Sequence, residues 1–309
     1  MNPETTITKS QLELLCTLHG LEYHSSSRIT VGFSHEVHKL NNHMVIKIYR
    51  EDAKDKFQTE LSVLSSKQAF PKPDIIAFSG INNPIHRSYI IMRFIEGRSL
   101  GACWHLANDK QRENIIQQLS SILKAINKIN PSRLSGPNGL TWDESLMNRA
   151  NTLIRVLFFA NTISSNQKTA AARLFKTYVP SLQTQMLYPV NWDIHFDNLI
   201  VDDEFNIKAM IDLEDVQITA LDFPLFVVKD MVNEPHRYMT EENEKFADKA
   251  DYSKLWEWYK KYYPEMFNFK NLEKRIEAYE FLNILHLMQS WPHDKKLMLR
   301  FNEFIQRAS

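Results

Sequence analysis

The sequence predicts an α+β protein in two lobes, a β-rich first lobe over about residues 1–95 and a mainly helical second lobe over 96–309. Three observations predict it. Short apolar runs separated by turn residues crowd between Arg28 and Ile95, as in a meandering sheet. Beyond Leu100 the apolar residues fall at helical spacing, most clearly Ile115, Ile116, Leu119, Ile122, Leu123 and Ile126. One hairpin interrupts the helical part: Leu199-Ile200-Val201, a polar turn over 202–206, then Ile207 to Ile211.

The elements follow in order. Leu12, Leu15 and Leu18 suggest a helix from Thr8 to His19, with Gly20 as its C-terminal stop. Strands are expected at Arg28–Val31, Glu36–Leu40 and Met44–Tyr49, with Asn41-Asn42 turning the second into the third. On the third strand Met44, Ile46 and Ile48 share one face, and Val45, Lys47 and Tyr49 the other. A helix over about 52–67 carries the stripe Phe57, Leu61, Leu64, and Glu60 falls on that stripe. A carboxylate is seldom buried without a partner, so Glu60 is either an edge residue reaching solvent or the partner of Lys47, which comes at the right point in the order of elements. Strands follow at Ile75–Phe78 and Ser88–Ile95, and Gly97 lets the chain turn into the second lobe. Helices are expected over 108–127, 142–162, 167–178, 252–263, 272–290 and 295–307.

Composition narrows the function. Lys plus Arg equals Asp plus Glu at 37 each, so there is no global basic field for nucleic acid or an anionic membrane. Cys16 and Cys103 are too few for a disulfide scaffold and lack metal-ligand spacing, which favours a reducing compartment. Residues 1–10 lack the apolar core of a signal peptide, and Val156–Ala160 is too short to span a bilayer. A soluble cytoplasmic protein, monomer or homodimer, is expected.

The stretch from Asn191 to Asp215 concentrates the chemistry. If Val201 pairs with Ile207, Asn198 lies opposite Met210, two residues from Asp212, with Asp193 just before the hairpin. A carboxamide oxygen and a carboxylate at one hairpin end suit Mg²⁺, which binds a few protein oxygens plus substrate phosphates. In protein kinases an Asp accepts the hydroxyl proton, an Asn five residues on binds metal, and a second Asp after a short strand binds metal.

The D-x-H-x-x-N form of Asp193 to Asn198, and Ile211-Asp212 followed by Leu-Glu, resemble the aminoglycoside phosphotransferase family of kinase-like small-molecule kinases. The resemblance spans about Thr8 to Phe226. It implies a two-lobed protein-kinase-like fold with ATP or GTP and Mg²⁺ in the cleft. It makes Asp193 the catalytic group, Asn198 and Asp212 the metal ligands, and Lys47, held by Glu60, the phosphate partner. Gly32 and Ser34 would lie in a short phosphate-covering loop, and Met92, Arg93, Phe94 and Ile95 along the adenine. Asp222 is carried over as a structural Asp preceding a helix. Two positions depart from the family: Asn191 stands where a His is usual, and Leu213-Glu214-Asp215 follows Asp212. Glu214 and Asp215 are open to three readings: a second metal, the substrate, or plain loop carboxylates. His195 orients the loop or serves as a structural histidine.

The implied activity is transfer of a γ-phosphoryl group to a hydroxyl of a small molecule, an aminoglycoside-like antibiotic being one acceptor. A choline- or homoserine-kinase-like metabolic enzyme is the alternative, and a nucleotide-binding pseudokinase the reading from another class. The acids Asp230, Glu234, Glu241, Glu242, Glu244, Asp248 and Asp251 fit a cationic acceptor or a solvated helix face.

Overall fold

A computed structural model describes residues 6–29 and 35–307. Helix α1 (Lys9–Leu18) begins at a capping box in which Thr8 and Gln11 each accept from the other's backbone N–H. Its inward residues are Leu12, Leu15 and Cys16, whereas Leu18 is exposed. Six residues beyond Leu12, Leu18 has rotated off the buried face, and Cys16 takes the i+4 place on it.

The first lobe is an antiparallel sheet of β1 (Ser26–Ile29), β2 (Glu36–Leu40), β3 (Met44–Ile48), β4 (Ile75–Ser79) and β5 (Tyr89–Arg93), ordered β1-β2-β3-β5-β4. Asn41 and Asn42 make the β2–β3 turn with φ of 49° and 64°, the left-handed pair that matches strand twist in a tight hairpin. Strand alternation divides two apolar clusters. Met44, Ile46 and Ile48 pack with Leu12, Leu15 and Cys16 of α1. Tyr49 on the other face joins Phe57, Val63 and Leu64 of α2 (Lys54–Leu64) in the main core.

The chain leaves the sheet through Gly97. A Cβ there would come within 2.6 Å of Ile200 Cγ2 and of the Val201 carbonyl oxygen, so only glycine permits this approach. Beyond it come β6 (Arg98–Ser99), the single turn α3 (Leu100–Cys103), α4 (Asp109–Ile126), α5 (Trp142–Phe159) and α6 (Ser165–Tyr178). Then follow β7 (Tyr188–Asn191), β8 (Leu199–Val201), β9 (Ile207–Met210) and β10 (Val216–Thr219). The last helices are α7 (Leu225–Asn233), the short α8 (Lys249–Tyr252), α9 (Leu255–Tyr262), α10 (Leu272–Ser290) and α11 (Lys295–Gln306). β6, β8 and β9 form one small sheet, and β7 pairs with β10. No helix among the described residues is long and apolar enough to cross a membrane.

The β8–β9 register differs from the expected one by a bulge. Val201 does face Ile207, but Ile200 faces Ala209 and Leu199 faces Met210. Exposed Lys208 is the extra residue, and a bulge of this kind advances one strand by one position. Asn198 therefore meets Ile211, whose N–H donates to its carbonyl at 2.9 Å, instead of Met210. The shift brings Asn198 one residue nearer to Asp212.

Asp222 precedes α7 and is fully buried. It accepts from both Nε and Nη2 of buried Arg275 on α10, the second at 2.9 Å, and from Tyr279 OH at 3.1 Å. This network ties the segment after β10 to α10.

Candidate active site

Lys47 and Glu60 meet because strand and helix periodicities both aim inward at the same place. Lys47 lies on the β3 face that looks toward α2, and Glu60 sits on the buried α2 stripe at 2% exposure. Lys47 Nζ donates to Glu60 Oε2 at 2.6 Å. Tyr49 OH donates to the same oxygen at 2.5 Å, and Leu213 N–H reaches Glu60 Oε1 at 3.4 Å. Glu60 thus holds the strand lysine and the segment after β9 together. Burial raises the Glu60 carboxyl against the opposing pull of Lys47.

Asp212 leaves β9 in the left-handed conformation, φ 58° and ψ 60°, a region Asp enters more readily than most residues. The turn directs its carboxylate to Lys47 Nζ, 2.6 Å away, while the side chain stays 40% exposed. Glu214 closes the group at 2.7 Å from the same nitrogen. Burial alone would lower the Lys47 pKa, but Asp212, Glu60 and Glu214 outweigh it and hold it well above the usual lysine range.

The loop between β7 and β8 presents Asp193. Asn191 is buried, and its Oδ1 accepts from the Asp193 N–H at 3.2 Å. Asn191 thereby orients the loop by a side-chain hydrogen bond of its own. Asn198 Nδ2 donates to the Asp193 carbonyl at 3.2 Å and to its carboxylate at 3.1 Å. His195 Nε2 lies 3.3 Å from the other carboxylate oxygen. Nearby, Asp197 accepts from Ser99 Oγ at 3.0 Å, and a Cβ at Gly101 would collide with its carboxylate. The loop is therefore anchored to the start of α3.

The expected adenine-contacting segment is partly committed to backbone pairing. Arg93 N–H donates to the Asp74 carbonyl and Phe94 N–H to the His43 carbonyl, each at 2.9 Å. Ile95 N–H stays outside this ladder among the described residues. Met92 is buried in the main core at the end of β5. Gly32 and Ser34 lie outside the described residues.

Sequence reasoning left Glu214 open to three readings, a second metal, the substrate or a plain loop carboxylate; its role as a clasp emerges from the structure. Its carboxylate meets Lys47, Lys56 Nζ at 2.7 Å and His35 Nε2 at 2.9 Å. The hydrogen bond to His35 and the Lys47 and Lys56 ammonium groups outweigh the effect of burial and hold Glu214 far below the usual carboxylate range. Lys56 also approaches Asp215 at 3.4 Å. No pattern in the chain points from residues 35, 47 and 56 to residue 214. The only signal was a pair of acids directly after Asp212.

The carboxylates of Glu60, Asp212 and Glu214 converge as a cation cage would. The Lys47 ammonium already sits within 2.6–2.7 Å of all three and takes the centre of that group. A second set of hard oxygens fits Mg²⁺ better: Asn198 Oδ1, whose amide nitrogen is taken up by Asp193, and the half-exposed Asp212 carboxylate.

A strand lysine braced by a helix glutamate, facing a hairpin with carboxylates at its mouth, defines the class of kinase-like phosphotransferases. The chain belongs to the phosphotransferase enzyme family, whose sequence model matches residues 26–261. Solved structures agree on the fold. The ADP-bound aminoglycoside phosphotransferase APH(2'')-Ib superposes with a TM-score of 0.70 at 15% identity, covering 97% of both chains. APH(2'')-IIa in its gentamicin complex gives 0.70 at 14% identity, covering 98% of this chain and 97% of that one. A thermostable APH(4)-Ia mutant with ADP and hygromycin B gives 0.63 at 14% identity, covering 96% and 98%. No curated protein matches the sequence.

Proposed function

We propose that this chain transfers the γ-phosphoryl group of ATP or GTP to a hydroxyl of a small molecule, with Mg²⁺ as cofactor. The observation that carries the reading is the hydrogen bond from Asn198 Nδ2 to the Asp193 carboxylate at 3.1 Å, beside the Asn198–Ile211 backbone bond that leads into Asp212. In this reading the lobes divide near residue 95, the first (1–95) binding nucleotide and the second (96–309) holding catalytic loop and acceptor. Lys47, held by Glu60, neutralises phosphate charge. Gly32 and Ser34 donate to phosphate oxygens, and Met92, Arg93, Phe94 and Ile95 line the base, with Ile95 N–H the donor. Asp193 orients the acceptor hydroxyl and takes its proton. Asn198 Oδ1 and Asp212 hold Mg²⁺, which when bound neutralises charge developing on the β- and γ-phosphate oxygens. Positioning and charge neutralisation supply most of the catalysis in such transfers.

The matched structures hold ADP or aminoglycosides, which supports a nucleotide donor and a small-molecule acceptor here. A cationic acceptor needs carboxylates to receive it, yet most acids of the 230–251 segment are engaged within the chain. Asp230 pairs with Arg300 at 3.2 Å, Glu234 with Lys249 at 3.6 Å and Asp251 with Arg112 at 2.7 Å, and Asp248 caps α8. That favours a metabolite-kinase reading over an aminoglycoside acceptor. Against a pseudokinase stands the complete set Lys47, Glu60, Asp193, Asn198 and Asp212. Two free, buried cysteines and the need for a nucleoside triphosphate support a cytoplasmic setting. The deciding experiment is Mg²⁺-dependent nucleotide consumption with an acceptor panel, read by mass spectrometry as gain of one phosphoryl group. Nucleotide binding without turnover across a broad panel would favour the pseudokinase.

Two expected results test the residue roles. Asp212→Asn is expected to weaken Mg²⁺-nucleotide binding more than binding of nucleotide without metal, and calorimetry giving equal losses would remove Asp212 from the metal site. Lys47→Ala is expected to raise the nucleotide KM and lower turnover, with a smaller defect of the same kind for Glu60→Gln. In a double-mutant cycle the two changes should couple by about 0.5–3 kcal/mol; simple additivity would mean that Glu60 does not act through Lys47.

A further inference from the structure

A single 3₁₀ turn, Leu213–Asp215, follows the left-handed Asp212. Leu213 is fully buried, and its N–H reaches Glu60 Oε1 at 3.4 Å. That anchor turns the next residue, Glu214, inward against β3 and α2, where its side chain is only 1% exposed. A carboxylate this deep needs partners. Its Oε1 meets Lys56 Nζ at 2.7 Å, and its Oε2 meets Lys47 Nζ at 2.7 Å and His35 Nε2 at 2.9 Å. His35 Nδ1 accepts from the Arg50 N–H at 3.3 Å, so the ring presents its Nε2–H to Glu214.

The carboxylates around Lys47 are not equally committed to it. Glu60 and Asp212 accept aligned hydrogen bonds from the ammonium, each at 2.6 Å. Glu214 Oε2 lies almost as close, yet it accepts no aligned hydrogen bond from Lys47. Glu60 is also fixed by Tyr49 and Leu213, and Asp212 has no other ion pair among the described residues. Glu214 alone keeps an ammonium, that of Lys56, once Lys47 is withdrawn. A lysine offers its donors only at the ammonium, and here that group is enclosed by Glu60, Asp212 and Glu214. A phosphate oxygen reaches it only where one of these oxygens leaves. The surroundings are anionic as well: Glu60, Asp212, Glu214 and Asp215 outnumber the ammonium groups of Lys47 and Lys56.

We propose that Glu214 holds the place of a nucleotide phosphate oxygen on Lys47 in the empty site, and that it thereby makes nucleotide binding depend on Mg²⁺. The inference rests on the phosphotransferase reading above and adds to it a residue that selects the metal-loaded nucleotide. As the Mg²⁺-nucleotide binds, Asp212 turns to the metal and Glu214 withdraws from Lys47 onto Lys56 and His35, where its charge stays paired. Lys47 then turns its freed N–H to a phosphate oxygen. A metal-free triphosphate gives Asp212 no reason to leave Lys47. It also brings its full negative charge against these carboxylates, and like-charge repulsion holds it off. Glu214 is a positioning residue on this account, acting through Lys47 and touching neither the metal nor the acceptor hydroxyl.

The test titrates the full chain with ATP and with GTP by calorimetry, first in EDTA and then with excess Mg²⁺. The parent is expected to bind the Mg²⁺ form far more tightly than the metal-free form. Glu214→Gln keeps the size of the side chain and removes its charge. It should tighten metal-free binding by about tenfold, the difference between a charged and a neutral partner for Lys47. Its affinity for the Mg²⁺-nucleotide should stay within about threefold of the parent. Loss of a merely structural contact would not raise an affinity. Asp215→Asn is the charge control, since that carboxylate lies on Lys56 and not on Lys47; its gain in metal-free binding should stay below about threefold. A parent that binds both forms alike overturns the inference, as does an unchanged or weaker metal-free affinity in Glu214→Gln. An equal gain in Asp215→Asn overturns it by making net charge the cause. A selective loss of Mg²⁺-nucleotide affinity in Glu214→Gln overturns it by placing Glu214 on the metal. Should Glu214→Gln not fold, a crystal structure of the parent with Mg²⁺ and a non-hydrolysable ATP or GTP analogue decides. A phosphate oxygen on Lys47 Nζ, with Glu214 drawn off to Lys56, is the expected result; Glu214 Oε2 still against Lys47 Nζ overturns the inference. The phosphotransferase reading itself fails separately, through absence of Mg²⁺-nucleotide binding by the parent.

Discussion

Asp193→Ala is expected to lower phosphoryl transfer by about 10²–10⁴-fold, the usual contribution of a positioned general base, with nucleotide affinity nearly unchanged. The expectation comes from how the carboxylate is held. Burial alone would raise its pKa, but His195 and Asn198 outweigh burial and keep it below the ordinary range. At neutral pH it is therefore ionised, with one oxygen facing His195 and the other Asn198. Asp193→Asn preserves the shape and removes the charge, so it separates proton acceptance from simple positioning. Single-turnover measurements with the true acceptor provide the check. Near-normal transfer by the alanine variant would move the catalytic role to another group, with Asp215 the first to examine.

The second large effect concerns stability. Arg275→Met leaves Asp222 buried at the end of the β10 segment without its guanidinium, and it should destabilise the fold by about 3–5 kcal/mol. Tyr279 OH continues to donate to Asp222, which places the loss toward the lower end of that range. Asp222→Leu alone strands the guanidinium instead, leaving it only the Ser181 and Gln183 carbonyls and Tyr279 OH. The double variant Asp222→Leu with Arg275→Met should be less damaging than the sum of the two, because no uncompensated charge remains. Denaturant midpoints for the three variants test this. Strict additivity would mean the pair is energetically independent despite its contact.

The sequence made the first-lobe strands, the β8–β9 hairpin and most helices legible because their periods are local, whereas the short strands β6, β7 and β10 carry too few residues to show one. The α10 boundaries, Leu272 to Ser290, match the apolar spacing, and the faces of β3 follow from simple alternation. Helix α1 shows the limit of that reading. Three leucines suggested the buried stripe, but Leu18 faces solvent and Cys16 lies inside. The spacing of Asp193, Asn198 and Asp212 was likewise readable, since all three belong to one hairpin and its approach. Even there the bulge at Lys208 moved the pairing by one residue, because a bulge answers to sheet twist and packing, which residue type does not report.

By itself, then, the sequence determined a β-rich lobe, a helical lobe and a set of residues with kinase-like order. Lys47 and Glu60 could be matched in advance because a carboxylate on an apolar stripe demands a cation and Lys47 stands on the preceding strand at the point where the family resemblance puts one. The tertiary structure alone decided which distant charges share a space. It brought Glu214 onto Lys47, Lys56 and His35, and set Asp222 against Arg275. The reason is physical: periodicity reports which face of an element turns inward, whereas charge pairing depends on distances across the fold between elements that the chain order leaves far apart.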